Sequence, residues 1–214
     1  MKIRPILFAV LAIAVVSALV LNDSDNASLA SNRAADLLGE IRSGNVALTS
    51  THGVDASTGA SVLGHLVNNT SKNIRVAVNL DRPLFMRNSN RRSQNMLATQ
   101  VFNRDGTYLR DGKRSFITLK ANKRIPVTFI AYCVDFEKDN PTNIDSFSIS
   151  DVPAELVGIS GKIQRYEREN PDADSGAALQ LALWLAQGES IREIREKFVF
   201  TPQDEQTARR LINQ

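Results

Sequence analysis

Ile125-Pro126-Val127-Thr128-Phe129-Ile130-Ala131-Tyr132-Cys133-Val134-Asp135-Phe136 is the stretch whose reading decides the fold. Laid out as a strand, it puts Ile125, Val127, Phe129, Ala131 and Cys133 on one side and Ile130, Tyr132 and Val134 on the other. Both faces are apolar, which predicts a central strand covered on both sides. It ends in the only cysteine of a chain of 214 residues.

Upstream, residues 62–67 and 74–80 read as two strands of a hairpin around the turn 68–73. In the second, Ile74, Val76, Val78 and Leu80 alternate with polar or small residues, the period of a half-buried strand. Pro83 is expected to break that run. Residues 84–86, 96–102 and 115–119 are further strand candidates. The Asn103-Arg104-Asp105-Gly106 turn leads into 107–109 as a hairpin arm, and 146–149 is a last strand. Short strands at this spacing predict an antiparallel β-sandwich of about seven strands.

On either side the period becomes helical. Residues 31–43 form a short amphipathic helix stopped by Gly44, and 45–61 read as loop or a weak edge strand. After Asp151, helices are expected over 153–169, 176–187 with Ser175 as N-cap, 191–198 with a Ser190/Glu193 capping box, and from Thr201-Pro202 to Asn213. The fold class is therefore mainly β with C-terminal α. The expected organisation is a leader at 1–30, a short helix and linker at 31–60, the sandwich at 61–150, and a helical module packed on it at 151–214.

The leader has Lys2 and Arg4 before an apolar run, 6–21, interrupted only by Ser17, and Ser28 and Ala30 at signal-peptidase spacing. As a helix that run reaches ~24 Å, short of a ~30 Å hydrocarbon core. A signal peptide is favoured over a retained anchor. The body is expected outside the cytoplasm, whether secreted, periplasmic or on the cell surface, touching membrane only through an uncleaved leader. A single cysteine there can form no internal disulfide, which leaves an inert thiol, an intermolecular bridge or special chemistry.

The composition, 43% hydrophobic and 23% charged, is that of a globular chain. A net charge of +3 is too small to argue for nucleic acid, and no nucleic-acid partner is expected. Residues 31–150 carry 16 Lys/Arg against 10 Asp/Glu, whereas 151–214 carry 8 against 11. Gly-x-Ser-x-Gly, phosphate-loop and His/Cys metal spacings are absent from the sequence, so neither an enzyme nor a cofactor is expected.

The helix over 176–187 is apolar nearly all round and should be buried. Gln180 and Trp184 share a face. A buried glutamine must hydrogen-bond, so Cys133 and Gln180 are two polar groups expected inside, one on each module.

Tyr132-Cys133-Val134-Asp135 followed by Leu179-Gln180-Leu181-Ala182-Leu183-Trp184 resembles the thioester domains of bacterial surface adhesins. The resemblance implies a β-sandwich with a helical part and an internal thioester, with Cys133 as the thiol and Gln180 as the acyl donor. Tyr132, Asp135, Ala182 and Trp184 fill out the matched positions. Leu179 stands where the family's motif has threonine. The function so implied is an exported surface binding domain, adhesive through Cys133 and Gln180, for a protein or cell-surface polysaccharide ligand. The alternative is a non-covalent structural or ligand-binding sandwich in which Cys133 is inert, Trp184 is core and Gln180 satisfies a backbone group.

Weaker features complete the reading. Arg87, Arg91 and Arg92 form a basic loop, with Lys113, Arg114, Lys123 and Arg124 in other turns. Clustered, these would make a patch for an anionic surface, polysaccharide or lipid headgroup; scattered, they protect strand edges. Asp135, Glu137 and Asp139 are read as a solvated turn rather than a calcium loop. Asn26, Asn68 and Asn69 open Asn-x-Ser/Thr triplets.

Overall fold

A computed structural model describes residues 34–111 and 114–214, so the leader and Lys113 lie outside the described residues. Ala35–Gln214 makes one unit. In chain order its elements are α1 (Leu37–Arg42), β1 (Val46–Gly53), β2 (Ala60–Asn68), β3 (Ile74–Ala77), β4 (Asn79–Asn88) and β5 (Met96–Asn103). There follow β6 (Leu109–Asp111), β7 (Arg114–Leu119), β8 (Arg124–Cys133), β9 (Phe147–Ser150), α2 (Ala154–Glu169), α3 (Gly176–Ala186), α4 (Ile191–Lys197) and α5 (Pro202–Ile212). The fold is mainly β, with antiparallel sheets in a sandwich-like arrangement and C-terminal helices.

One sheet has the order β1-β2-β8-β5-β4-β9 and the other β3-β7-β6. The expected hairpin of 62–67 with 74–80 does not form: β2 pairs with β1 and β8, whereas β3 pairs with β7 in the other sheet. The chain changes sheet at Val78, whose N–H donates to Ser115 O (2.8 Å) and whose carbonyl accepts from Val101 N–H (2.9 Å). Both backbone groups of this buried residue are thus satisfied at the corner.

Pro83 does not end the strand either. It lies inside β4, where pairing with β5 is irregular between Asn79 and Leu84 and pairing with β9 starts only at Phe85. No ladder bond is lost at a proline facing no partner. The stretch 45–61 contains the eight-residue edge strand β1.

β8 is central, flanked by β2 and β5. Its coverage is less even than the sequence implies. Val127, Phe129, Ala131 and Cys133 are all buried, but on the opposite face Thr128 and Ile130 are half-exposed and burial begins at Tyr132 and Val134. On that face Tyr132 is covered by α2. There the Tyr132 hydroxyl donates to Glu167 Oε1 (2.8 Å), as does Thr99 Oγ1 (2.9 Å).

Glu167 is itself buried, and its Oε2 has no partner among the described residues. It occupies the stripe Leu156, Ile159, Ile163 that α2 buries. Burial raises its pKa, against hydrogen bonds from Tyr132 and Thr99 that lower it. A raised folded-state pKa favours the protonated carboxyl, so this contribution to stability is full below the ordinary glutamate pKa and is lost as pH rises through the raised one. In urea titrations across pH, Glu167→Gln should flatten the decline and be more stable than the parent at alkaline pH. An unchanged pH profile would show that Glu167 stays ionised.

The helical part follows its sequence signals closely. Gly158 and Gly161 do not interrupt α2. α3 is buried continuously from Ala178 to Trp184. Ser175 occupies the N-cap of α3 but its side chain makes no cap bond. Ser190 accepts from Glu193 N–H, yet the reciprocal capping box is at Thr201/Asp204.

Candidate functional site

The C-terminal end of β8 delivers Cys133, and α3 delivers Gln180; both are fully buried. The two residues, 47 positions apart, are joined by a pair of hydrogen bonds. Cys133 N–H donates to Gln180 Oε1 at 2.8 Å, and Gln180 Nε2 donates to Cys133 O at 2.7 Å. The Cys133 N–H is shared with Ser57 O at 3.0 Å, on the loop that precedes β2. The helix has to be apolar all round for Gln180 to reach this point without competing water, which is what the sequence of α3 provides.

The thiol itself points elsewhere. Sγ lies 3.5 Å from Met96 Sδ and donates toward Asn140 Oδ1 at 3.8 Å. Burial, and secondarily the Asp135 carboxylate, pushes the Cys133 thiol well above its usual range. No histidine serves as base. His65 sits opposite Pro126 on β8, seven residues from Cys133 and so ~23 Å along the strand; His52 is one strand further out, opposite Leu63.

The remaining motif positions are structural neighbours of the pair. Tyr132 faces the other side of the sheet, toward Glu167. Asp135 Oδ2 accepts from the Asn95 backbone N–H (2.8 Å) and Nδ2 (2.9 Å), while Oδ1 pairs with Lys138 at 3.1 Å. Ala182 is buried. Trp184 packs edge-on against Phe136 (5.2 Å between centroids) and Phe198 (5.3 Å). Its Nε1 is buried with no partner among the described residues.

Residues 135–145 hold the site from below. Asp139 N–H donates to Arg92 O, Gly53 N–H to Thr142 O and Asp55 N–H to Pro141 O. Sequence reasoning did not find Asn140, Met96, Asn95 or Ser57, because each reaches the site through chain folding with no local periodic signal. Glu167 was legible in principle, as a charged residue at an apolar-stripe position of α2.

The basic residues line different recesses. Arg87 and Arg91 line a recess that also includes Val134 and Asp135, and Arg92 is not part of its lining. Arg114 lines a different recess with Arg168 and Asp81. Arg124 starts β8, nine residues from Cys133. Among the described residues no group of His, Cys, Asp or Glu could hold a metal, and no helix is long and apolar enough to cross a membrane. No model of a known protein family, no curated protein and no solved structure matches this chain.

Proposed function

We propose that this chain is an extracytoplasmic surface-binding domain whose Cys133 and Gln180 condense to an internal thioester that captures an amine on its target. The observation that carries the reading is the double hydrogen bond between the Gln180 carboxamide and the backbone of Cys133. The leader-like residues 1–30 support export.

In the condensation, Sγ attacks Gln180 Cδ, the C–N bond breaks, and the thiol proton leaves with the amide nitrogen as ammonia. The Cys133 N–H already donates to Oε1, the atom on which negative charge develops, so it acts as an oxyanion donor. Cys133 O accepts from the nitrogen that departs. Sγ has to rotate away from Met96 and Asn140 to attack. The thiol's raised pKa makes the step slow, but it happens once per molecule and needs no turnover. A target amine then attacks the thioester carbonyl, the S–C bond breaks, and the thiol is regenerated with the amine's proton. Burial protects the acyl group from water until that point.

A second reading is favoured by the thiol's own surroundings. Its contact with Met96 and its raised pKa suit an inert small side chain, with Gln180 acting only as a clasp in a non-covalent binding protein. Intact mass of the folded protein discriminates. The thioester is lighter by ~17 Da, and methylamine adds to it. Full mass, together with one thiol that titrates only after denaturation, establishes the second reading instead.

A further inference from the structure

We propose that the recess beside the Cys133–Gln180 pair is a binding site for an anionic sugar chain, one bearing carboxylate or sulfate groups. The site is independent of whether the thioester forms. The recess has a volume of about 700 Å³, within the range of small-ligand sites. Its lining has two parts. The buried side chains of Phe85, Val134 and Leu156 supply an apolar floor, and the polar residues Asn90, Asn95 and Gln187 supply the walls. An apolar floor with a polar rim matches the C–H face and hydroxyl edge of a sugar ring.

The charges of the recess select an anion. Arg87, Arg91 and Lys138 face it, as do Asp135 and Glu155. Asp135 is already neutralised by Lys138 at 3.1 Å and accepts two N–H groups from Asn95. That leaves Arg87 and Arg91 against Glu155, and neither arginine has an ion-pair partner among the described residues. Guanidinium groups bind carboxylate and sulfate oxygens two at a time, so two of them suit repeated anionic groups along a chain.

The walls are also set in advance. Asn88 Oδ1 accepts from Asn90 N–H and its Nδ2 donates to Gln94 O. Asn95 Oδ1 accepts from Asn88 N–H, and Ser89 and Ser146 join hydroxyls at 2.8 Å. A loop tied at this many points loses little entropy on binding. Gln187 extends from the end of α3 to donate to Val134 O at 3.1 Å, which puts the recess one residue beyond Cys133 on the same chain segment.

The test is affinity electrophoresis and calorimetry of the full chain with polygalacturonate, its uncharged methyl ester, and polyglutamate. Polygalacturonate should bind, with affinity falling as salt rises, and the ester should not. Arg87→Gln and Arg91→Gln should each weaken binding about fivefold, Glu155→Gln should strengthen it about twofold, and Lys123→Gln, at the far end of β8, should leave it unchanged. Cys133→Ala should bind as the parent does, so failure of the thioester reading leaves this result intact. Absence of binding to polygalacturonate overturns the proposal. So does equal weakening by Lys123→Gln, which marks non-specific basic attraction, and so does polyglutamate binding as tightly, which marks a site for acidic peptide.

Discussion

Gln180→Ala is expected to lower stability by about 3 kcal/mol. The substitution removes two short hydrogen bonds at 2.8 and 2.7 Å. Cys133 N–H keeps Ser57 O, but Cys133 O loses the partner Gln180 supplied, and α3 gains a void where it packs on β8. A buried carbonyl without a partner bears the full desolvation cost, so the loss exceeds that of an average hydrogen bond. Cys133→Ala is the companion variant, because the backbone groups that Gln180 binds survive in it. Packing alone sets its cost at about 1 kcal/mol. A Cys133→Ala loss as large as that of Gln180→Ala is what a covalent link across 47 residues would add, through restriction of the unfolded chain. Urea denaturation of the two variants beside the parent reads both quantities. A Gln180→Ala loss below about 1 kcal/mol would show that the carboxamide does not clasp the strand.

Gly53→Ala is the second substitution with a large expected cost. A Cβ built at Gly53 would lie 2.3 Å from Pro141 O and 2.4 Å from Pro141 C, both backbone atoms. Neither can rotate away, so the loop 135–145 has to move as a unit and its bonds to the end of β1 and the residues after it have to stretch. These include Gly53 N–H to Thr142 O at 2.9 Å and Asp55 N–H to Pro141 O at 2.8 Å. The expected cost is about 3 kcal/mol, at the upper end for overpacking because the obstacle is main chain. The same movement carries Asn140 away from Cys133 Sγ. Gly53→Ala should therefore also speed the reaction of Cys133 with a thiol reagent, or of the thioester with methylamine. Gly64, whose added Cβ would meet the side-chain tips of Leu48 and Thr51 at 3.2 and 3.3 Å and Thr49 O at an ordinary 3.6 Å, is the milder control. Equal stability of the Gly53 and Gly64 alanine variants would show that the loop gives way freely.

Much of this architecture follows from local patterns. Ile74 to Ala77 and Arg124 to Cys133 are strands because apolar residues recur with the pleat, and Met96 to Asn103 is a short apolar run of strand length. The C-terminal helices follow from capping residues, from Pro202 at a helix start, and from Gly188 at a positive φ of 94° after α3. Those signals sit within a few residues of their effect, so they can be read without knowing the fold. The pairing of strands is different. Residues 62–67 and 74–80 look like a hairpin, yet β2 and β3 belong to different sheets because the chain from Asn68 to Asn73 serves as a sheet-to-sheet connection. Asn68 Nδ2 donates to Lys72 O (2.7 Å) and to Leu119 O of β7 (2.9 Å), tying that connection to the second sheet. Nothing in the spacing of the two strands distinguishes these outcomes.

The site divides along the same line. Cys133 at the end of an apolar strand and Gln180 inside an apolar helix are visible as residues that must be buried and must find partners, because burial and hydrogen-bonding demand are properties of a side chain and its neighbours in sequence. That each is the other's partner depends on where α3 crosses the end of β8. So does the direction of Sγ, toward Met96 and Asn140 rather than outward. Such contacts between residues 37 and 47 positions apart arise from the summed packing of many elements. A pattern within any one segment carries no record of them, and the folded chain was needed to bring the thiol, the carboxamide and the basic recess to one end of the sheet.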